Sequence, residues 1–205
     1  TIIFENNAQL LQDADAANIG NIQSQRLASN INNLTTHMDY LYWSSPVAGQ
    51  PLQAFSPGTP ANRLYQYNES NDLFNAVNQT LEPNFVEGKG YAFRAESTVT
   101  NGSSKTYTFS GTPNNGDINI TIKRSPNTGT GGSVIHGYNL VGNPYPSNID
   151  FEALYNFGTN KNYIKGKVRF LSNGSPQLNQ NGSAYTSNGY ASLTLMGGAP
   201  PTTIQ

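Results

Sequence analysis

The punctuation of this chain limits its fold more than any other feature. Asn-Gly pairs stand at Asn101-Gly102, Asn115-Gly116, Asn173-Gly174, Asn181-Gly182 and Asn188-Gly189. Both residue types tolerate the positive φ angles that tight hairpin turns demand. Between such pairs run short alternations of apolar and polar residues. In Ile118-Asn119-Ile120-Thr121-Ile122 the isoleucines share one face, the period of a half-buried strand. Candidate strands cover 1–5, 20–26, 40–43, 64–67, 90–95, 106–110, 118–123, 138–141 and 167–171. Many short strands joined by tight turns predict an all-β protein, an antiparallel β-sandwich of jelly-roll-like form. One short helix is expected near 149–157, with Ser147 or Asn148 as N-cap and Asp150 and Glu152 in its first turn, where carboxylates complement the helix dipole. Residues 72–78 suggest another helical turn or two, and 57–62, 125–133 and 197–203 read as loops.

The chain also carries one design twice. Tyr40 and Tyr138, Pro46 and Pro144, Ile22 and Ile120, and Arg26 and Arg124 all match at a common offset. Matching tyrosine, proline and arginine at one spacing predicts two quasi-repeated halves, 1–110 and 111–205, which either share one core or fold separately. The first copy proceeds through RLYQYN to VEGKGYAFRA. The second proceeds through VRFLSN and reaches Gln205 with no counterpart of GKGYAF. The second half therefore reads as cut short, a piece of a longer protein.

Formal net charge is −1 and only 11% of residues are charged, against roughly 25% in ordinary soluble domains. No Lys/Arg stripe exists to displace counterions, which argues against nucleic-acid binding. No stretch is apolar enough to insert in a membrane as a helix. The absence of cysteine removes disulfides and thiolate metal sites. An amide-, Tyr- and Gly-rich surface of low charge suits an exported bacterial protein.

Catalytic signals are sparse. The two histidines, His37 and His136, belong to no metal motif, and no serine sits in GxSxG. Gly88-Lys89-Gly90 lacks the spacing of a phosphate loop. Asp150 and Glu152 share one helical turn, whereas glycoside hydrolysis needs carboxyls flanking the substrate. No catalytic residue is assigned, and the chain is expected not to be an enzyme. Asp13, Asp15 and Asn18, followed by Gly20, form a partial calcium loop without the closing bidentate Glu, and equally suit a turn. The triplets beginning at Asn33 and Asn119 match a glycosylation acceptor. Tyr40, Tyr42, Trp43, Tyr65 and Tyr67 are candidates for stacking on sugar rings, the competing role being core packing. Alternation puts Tyr40 and Tyr42 on one strand face and Leu41 and Trp43 on the other, so at most one face can meet a ligand.

The run YLYWSSPVAGQPLQAFSP, then VEGKGYAF, FSGTPNNGDINI and YNLVGNPYPSNIDFEAL resembles a module of exported Bacteroidetes proteins. These are large multidomain surface or secreted chains, often ending in a type IX secretion sorting domain. The resemblance spans nearly the whole chain. It implies an extracellular or cell-surface location and neighbouring domains in a longer chain, and it supplies no catalytic residues.

The expectation is a noncatalytic stalk, spacer or adhesion module. An unfinished second half would expose a sheet edge, open to strand exchange with residues 1–10 of another copy and so to fibres. The alternative is a carbohydrate-binding module attached to a polysaccharide-degrading enzyme, with polysaccharide as partner.

Overall fold

The computed structural model describes residues 1–35, 37–129, 136–171 and 190–199. The protein is mostly β, built of several largely antiparallel sheets with few and short helices. The first sheet comprises β1 (Ile2–Phe4), β2 (Ile22–Ile31), β6 (Val47–Ala48) and β10 (Ser103–Pro113), in the order β1-β2-β10-β6. The second comprises β5 (Tyr40–Trp43), β7 (Leu64–Asn68), β8 (Leu73–Ala76) and β9 (Tyr91–Arg94), in the order β5-β9-β7-β8. β3 (Asn33–Leu34) and β4 (His37–Met38) make a small hairpin. A third sheet joins β11 (Lys167–Leu171), β12 (Tyr190–Thr194) and β13 (Gly197–Ala199).

The first two sheets meet through their alternating inner faces. β10 turns Tyr107 and Phe109 inward, while β5 and β9 contribute Leu41, Trp43, Tyr91 and Phe93. The short helix α1 (Leu52–Phe55) inserts Phe55 between the sheets, stacked on Phe109 with ring centroids 4.2 Å apart and edge-on to Trp43 at 5.2 Å. Aromatic pairs in such geometry add about 0.5–1.5 kcal/mol beyond burial. The β2–β10 ladder slips once, where Ser103 pairs Ile31 but Lys105 pairs Ala28. The extra residue lies on β2 beside Asn30, whose φ of 51° marks a bulge.

Several expectations need correction. Residues 118–123 and 138–141 belong to no ladder; only Val141 forms a bridge, to Lys89. The alternating isoleucines have no partner strand: Ile120 and Ile122 are both 37% exposed, and Ile120 packs against Gly88. Side-chain bonds take the place of pairing: the Lys123 N–H donates to Asn139 Oδ1 at 3.0 Å, and Asn139 Nδ2 donates to the Lys123 carbonyl at 2.8 Å. Residues 72–78 form no helix but the outer strand of a hairpin, β8. Asn71 and Asp72 (φ 55°) serve its turn, and β branching is not needed where Phe74 packs across to Tyr67. Residues 61–63 form a 3₁₀ turn, and 197–199 a strand. The helix α2 (Phe151–Asn156) is capped by Asp150 itself, which accepts from Glu152 N–H at 2.8 Å and Ala153 N–H at 3.0 Å. Ser147, an expected cap, instead offers its carbonyl to Asn143 Nδ2 at 2.5 Å.

The turns at Asn173, Asn181 and Asn188 lie outside the described residues, as does the end of the 125–133 loop. β1 pairs parallel with the chain's own β2, Ile2 opposite Ile22 and Phe4 opposite Ser24.

Candidate functional site: an aromatic sheet face and the seam behind it

The outer face of the second sheet follows from strand alternation. Tyr42 lies opposite Ala92, Ala92 opposite Tyr65, and Tyr65 opposite Ala76. One row across four strands therefore alternates tyrosine with alanine. Adjacent rows place Tyr40 opposite Arg94 and Tyr67 opposite Phe74. The alanines leave room for rings to lie across the sheet. Tyr42 stacks on Phe74 at 5.9 Å, Phe74 meets Tyr67 edge-on at 5.3 Å, and Tyr40 meets Tyr65 edge-on at 5.7 Å. Tyr190, from the third sheet, reaches over to share a 2.8 Å hydrogen bond between its hydroxyl and that of Tyr42.

Tyr40, Tyr42, Tyr65 and Tyr67 are thus gathered on one face. Trp43 is not with them. It points the other way, against Phe55, Tyr107 and Phe109 in the core. Phe74, Tyr190 and the two arginines described next were not singled out from sequence. Alternation within β8 becomes a signal only once that segment is read as a strand.

The hydroxyls differ in their surroundings. Tyr67 donates to Asp72 Oδ1, and burial followed by this bond raises its phenol. Tyr65 accepts from Arg63 Nη1 at 3.2 Å. Tyr40 is 6% exposed, and its hydroxyl, like Arg94 Nε, is buried without a hydrogen-bond partner. Burial, then the neighbouring Tyr65, pushes the Tyr40 phenol up to about 12. It therefore remains a neutral donor at physiological pH.

Behind this face the motif residues join the two halves. Asn114, 5% exposed, donates from Nδ2 to the carbonyls of Ser45 at 3.3 Å and Pro144 at 2.9 Å, and from its backbone N–H to Pro46 at 3.1 Å. One amide thus ties SSP to NPY. Gly90 N–H donates to the Leu140 carbonyl and Gly142 N–H to the Gly88 carbonyl, both at 3.0 Å. The glycines permit this approach. A Cβ on Gly88 (φ 71°) would lie 2.3 Å from Ile120 Cδ1, and one on Gly90 would lie 2.6 Å from Leu140 Cγ. Lys89 between them binds Glu82 at 2.7 and 2.8 Å and Gln66 at 2.5 Å, and Tyr91 also donates to Glu82. The GKGY motif is a joint built from backbone proximity and one ion pair.

Other groups with chemical potential are engaged internally. Glu69 accepts from Ser125 N–H at 2.8 Å, Ser125 Oγ at 2.7 Å and Gly137 N–H at 2.7 Å. Burial pulls its carboxyl upward, but the two Ser125 bonds, the Gly137 bond and the charge of His136 together hold it below its ordinary value. His136 meets the Glu69 carbonyl through Nδ1 at 2.9 Å and Thr128 Oγ1 through Nε2 at 3.2 Å. Glu96 is buried against Lys105 Nζ at 2.5 Å and Ser56 Oγ at 2.9 Å. Asn18 donates from Nδ2 to Gln12 Oε1 at 2.5 Å and the Pro113 carbonyl at 2.8 Å, while Asn115 holds the carbonyls of Ala14 and Ala16. The Asp13–Asn18 segment is therefore strapped to the end of β10. Among the described residues no group of three or more His, Asp or Glu side chains converges for a metal. Among them, too, no helix is long and apolar enough to cross a membrane.

A family profile described as Domain of unknown function (DUF8693) matches residues 1–204, and the chain belongs to that family. No curated protein and no solved structure matches the chain.

Proposed function

We propose that this member of the family is a noncatalytic β-sandwich module, a stalk, spacer or adhesion element within a larger bacterial surface or secreted protein. The observation that carries this reading is the use made of the repeated motifs. Asn114, Gly88, Gly90 and Gly142 direct their bonds and close contacts into the seam between the halves. Residues so placed serve rigidity, which is what a spacer requires. Asp39, Glu69 and Glu96, the carboxylates best shielded from water among the described residues, already serve neighbouring donors.

Assembly by strand exchange has a defined slot on this reading. It is the parallel position along β2 that β1 fills in its own chain, with Ile2 and Ile3 exposed beside it. Pulling the chain by its ends between marker domains tests the spacer role. A single high-force unfolding event is expected. Extension at the low force of an unstructured linker would overturn it.

A second reading, binding of carbohydrate, is favoured by one specific observation. Four tyrosines and Phe74 share the outer face of the second sheet, on a floor of Ala76 and Ala92. Flat rings on a rigid sheet meet sugar C–H groups with little loss of side-chain freedom.

A further inference from the structure

Asn119-Ile120-Thr121 has a sequence motif to which neither the core nor the seam gives a role. It has the form of an N-glycosylation acceptor, in which the enzyme holds the hydroxyl two residues on while the amide nitrogen reacts. Such triplets recur by chance in an Asn-rich chain, and local bonding separates them. Asn33 donates Nδ2 to the carbonyls of Glu96 at 2.9 Å and Val99 at 2.6 Å, which uses both of its amide hydrogens. Asn68 sits in the β7–β8 ladder, and its Oδ1 accepts from the Ser70 hydroxyl at 2.7 Å, the group an enzyme would need. Asn78 opens a turn, accepting from Thr80 N–H at 3.1 Å and, through its carbonyl, from Leu81 and Glu82. Asn101 Oδ1 accepts from Asn33 N–H at 2.9 Å, and Ser103 gives its hydroxyl to the Thr100 carbonyl at 2.7 Å. The triplets at Asn173 and Asn181 lie outside the described residues.

Residues 117–122 differ in each respect. They belong to no strand, and Asp117, Asn119 and Thr121 are exposed. Ile120 packs against Gly88 with Ile118 beside it, so the residues that alternate with them face water. Among the described residues neither the Asn119 amide nor the Thr121 hydroxyl has a hydrogen-bond partner. The segment can therefore reshape in an enzyme's acceptor site without breaking a ladder. Of all these triplets it alone has a carboxylate two residues earlier, Asp117, which is paired with no cation among the described residues. A carboxylate so close to the acceptor offers a cation of the enzyme a charge-assisted contact.

We propose that Asn119 is a glycosylation site, which takes an oligosaccharide en bloc from a polyprenyl-diphosphate donor. A bond forms between Asn119 Nδ2 and the anomeric carbon of the first sugar. The bond from that carbon to the diphosphate oxygen breaks, and the polyprenyl diphosphate leaves with the electron pair. The amide gives up one proton to a base of the transferring enzyme. Thr121 and Asp117 position the acceptor and do not react. The site requires neither the spacer nor the carbohydrate-binding reading to hold.

The test incubates the folded full chain with a purified single-subunit bacterial oligosaccharyltransferase and its polyprenyl-diphosphate oligosaccharide. A standard acceptor peptide in the same tube shows that the enzyme is active. Intact mass and peptide mapping read the product, and circular-dichroism melts check that each variant is folded. A gain of one oligosaccharide, located on Asn119, is expected. Asn119→Gln and Thr121→Val, which keeps the shape and removes the hydroxyl, should both abolish it. Asp117→Asn should slow transfer roughly tenfold, as for one charge-assisted contact. A glycosylated peptide beside an unmodified chain would overturn the proposal. So would transfer to Asn33, Asn68, Asn78 or Asn101 with Asn119 left bare, or Thr121→Val modified as fast as wild type. Unchanged transfer in Asp117→Asn would overturn the part given to that carboxylate.

Discussion

Asn114 shows how much of this protein depends on single polar groups placed where two chain segments cross. Its side chain is almost wholly buried and its Nδ2 serves two carbonyls from opposite halves. Asn114→Ala removes the donor and strands both acceptors, so a loss of about 2–3 kcal/mol is expected in urea unfolding. A loss below about 0.5 kcal/mol would mean that water replaces the amide at no cost. From sequence, Pro46 and Pro144 were visible as a matched pair. Asn114 was not. One asparagine in an Asn-rich chain carries no local signal, and its role arises only when segments distant in sequence meet. Trp43 and Tyr42 make the complementary case. Alternation separated their faces correctly, but which face was the core depended on Phe55, Tyr107 and Phe109 arriving from elsewhere.

At the scale of elements, the strands read correctly were β1, β2, β5, β7, β9, β10 and β11, of which β1 and β11 are largely exposed and hold their place through a paired neighbour. Residues 118–122 alternate just as cleanly yet pair with nothing, because their isoleucines meet Gly88 and solvent instead of a second strand. Alternation reports the capacity for a strand; a partner decides the outcome. The β7–β8 hairpin was missed because Asp72 reads equally well as a helix start or a turn residue. That hairpin carries Glu69 at its turn, and Glu69 in turn holds Ser125 and Gly137. Its carboxyl is held below the ordinary 4.5 in the folded state. The resulting stabilisation is fully present above that value and is lost as pH falls through the lower folded one. Melting followed from pH 6 downward should therefore show wild type losing stability more steeply below pH 4.5 than Glu69→Gln. Parallel curves for the two proteins would contradict this account.

Across the whole molecule, the two halves are similar in motif and unequal in form. The first supplies both strands of most ladders in the two sheets that share the aromatic core, while in the second 138–140 lie outside any ladder, Val141 bridges to Lys89, and 168–171 pair within the third sheet. Reading a repeat from matched residues gives no sign that Val141 bridges to Lys89 or that Leu10 donates to Pro146. Such long-range bonds make the halves a cooperative unit on this account, and that is the central claim. Trp43 is the only tryptophan and lies in the core of the first half. The most direct test is a urea titration followed at once by Trp43 fluorescence and by amide exchange of residues 137–148. The account predicts coincident midpoints, since the seam opens only when the core does. Exchange of 137–148 at denaturant concentrations that leave Trp43 undisturbed would contradict it.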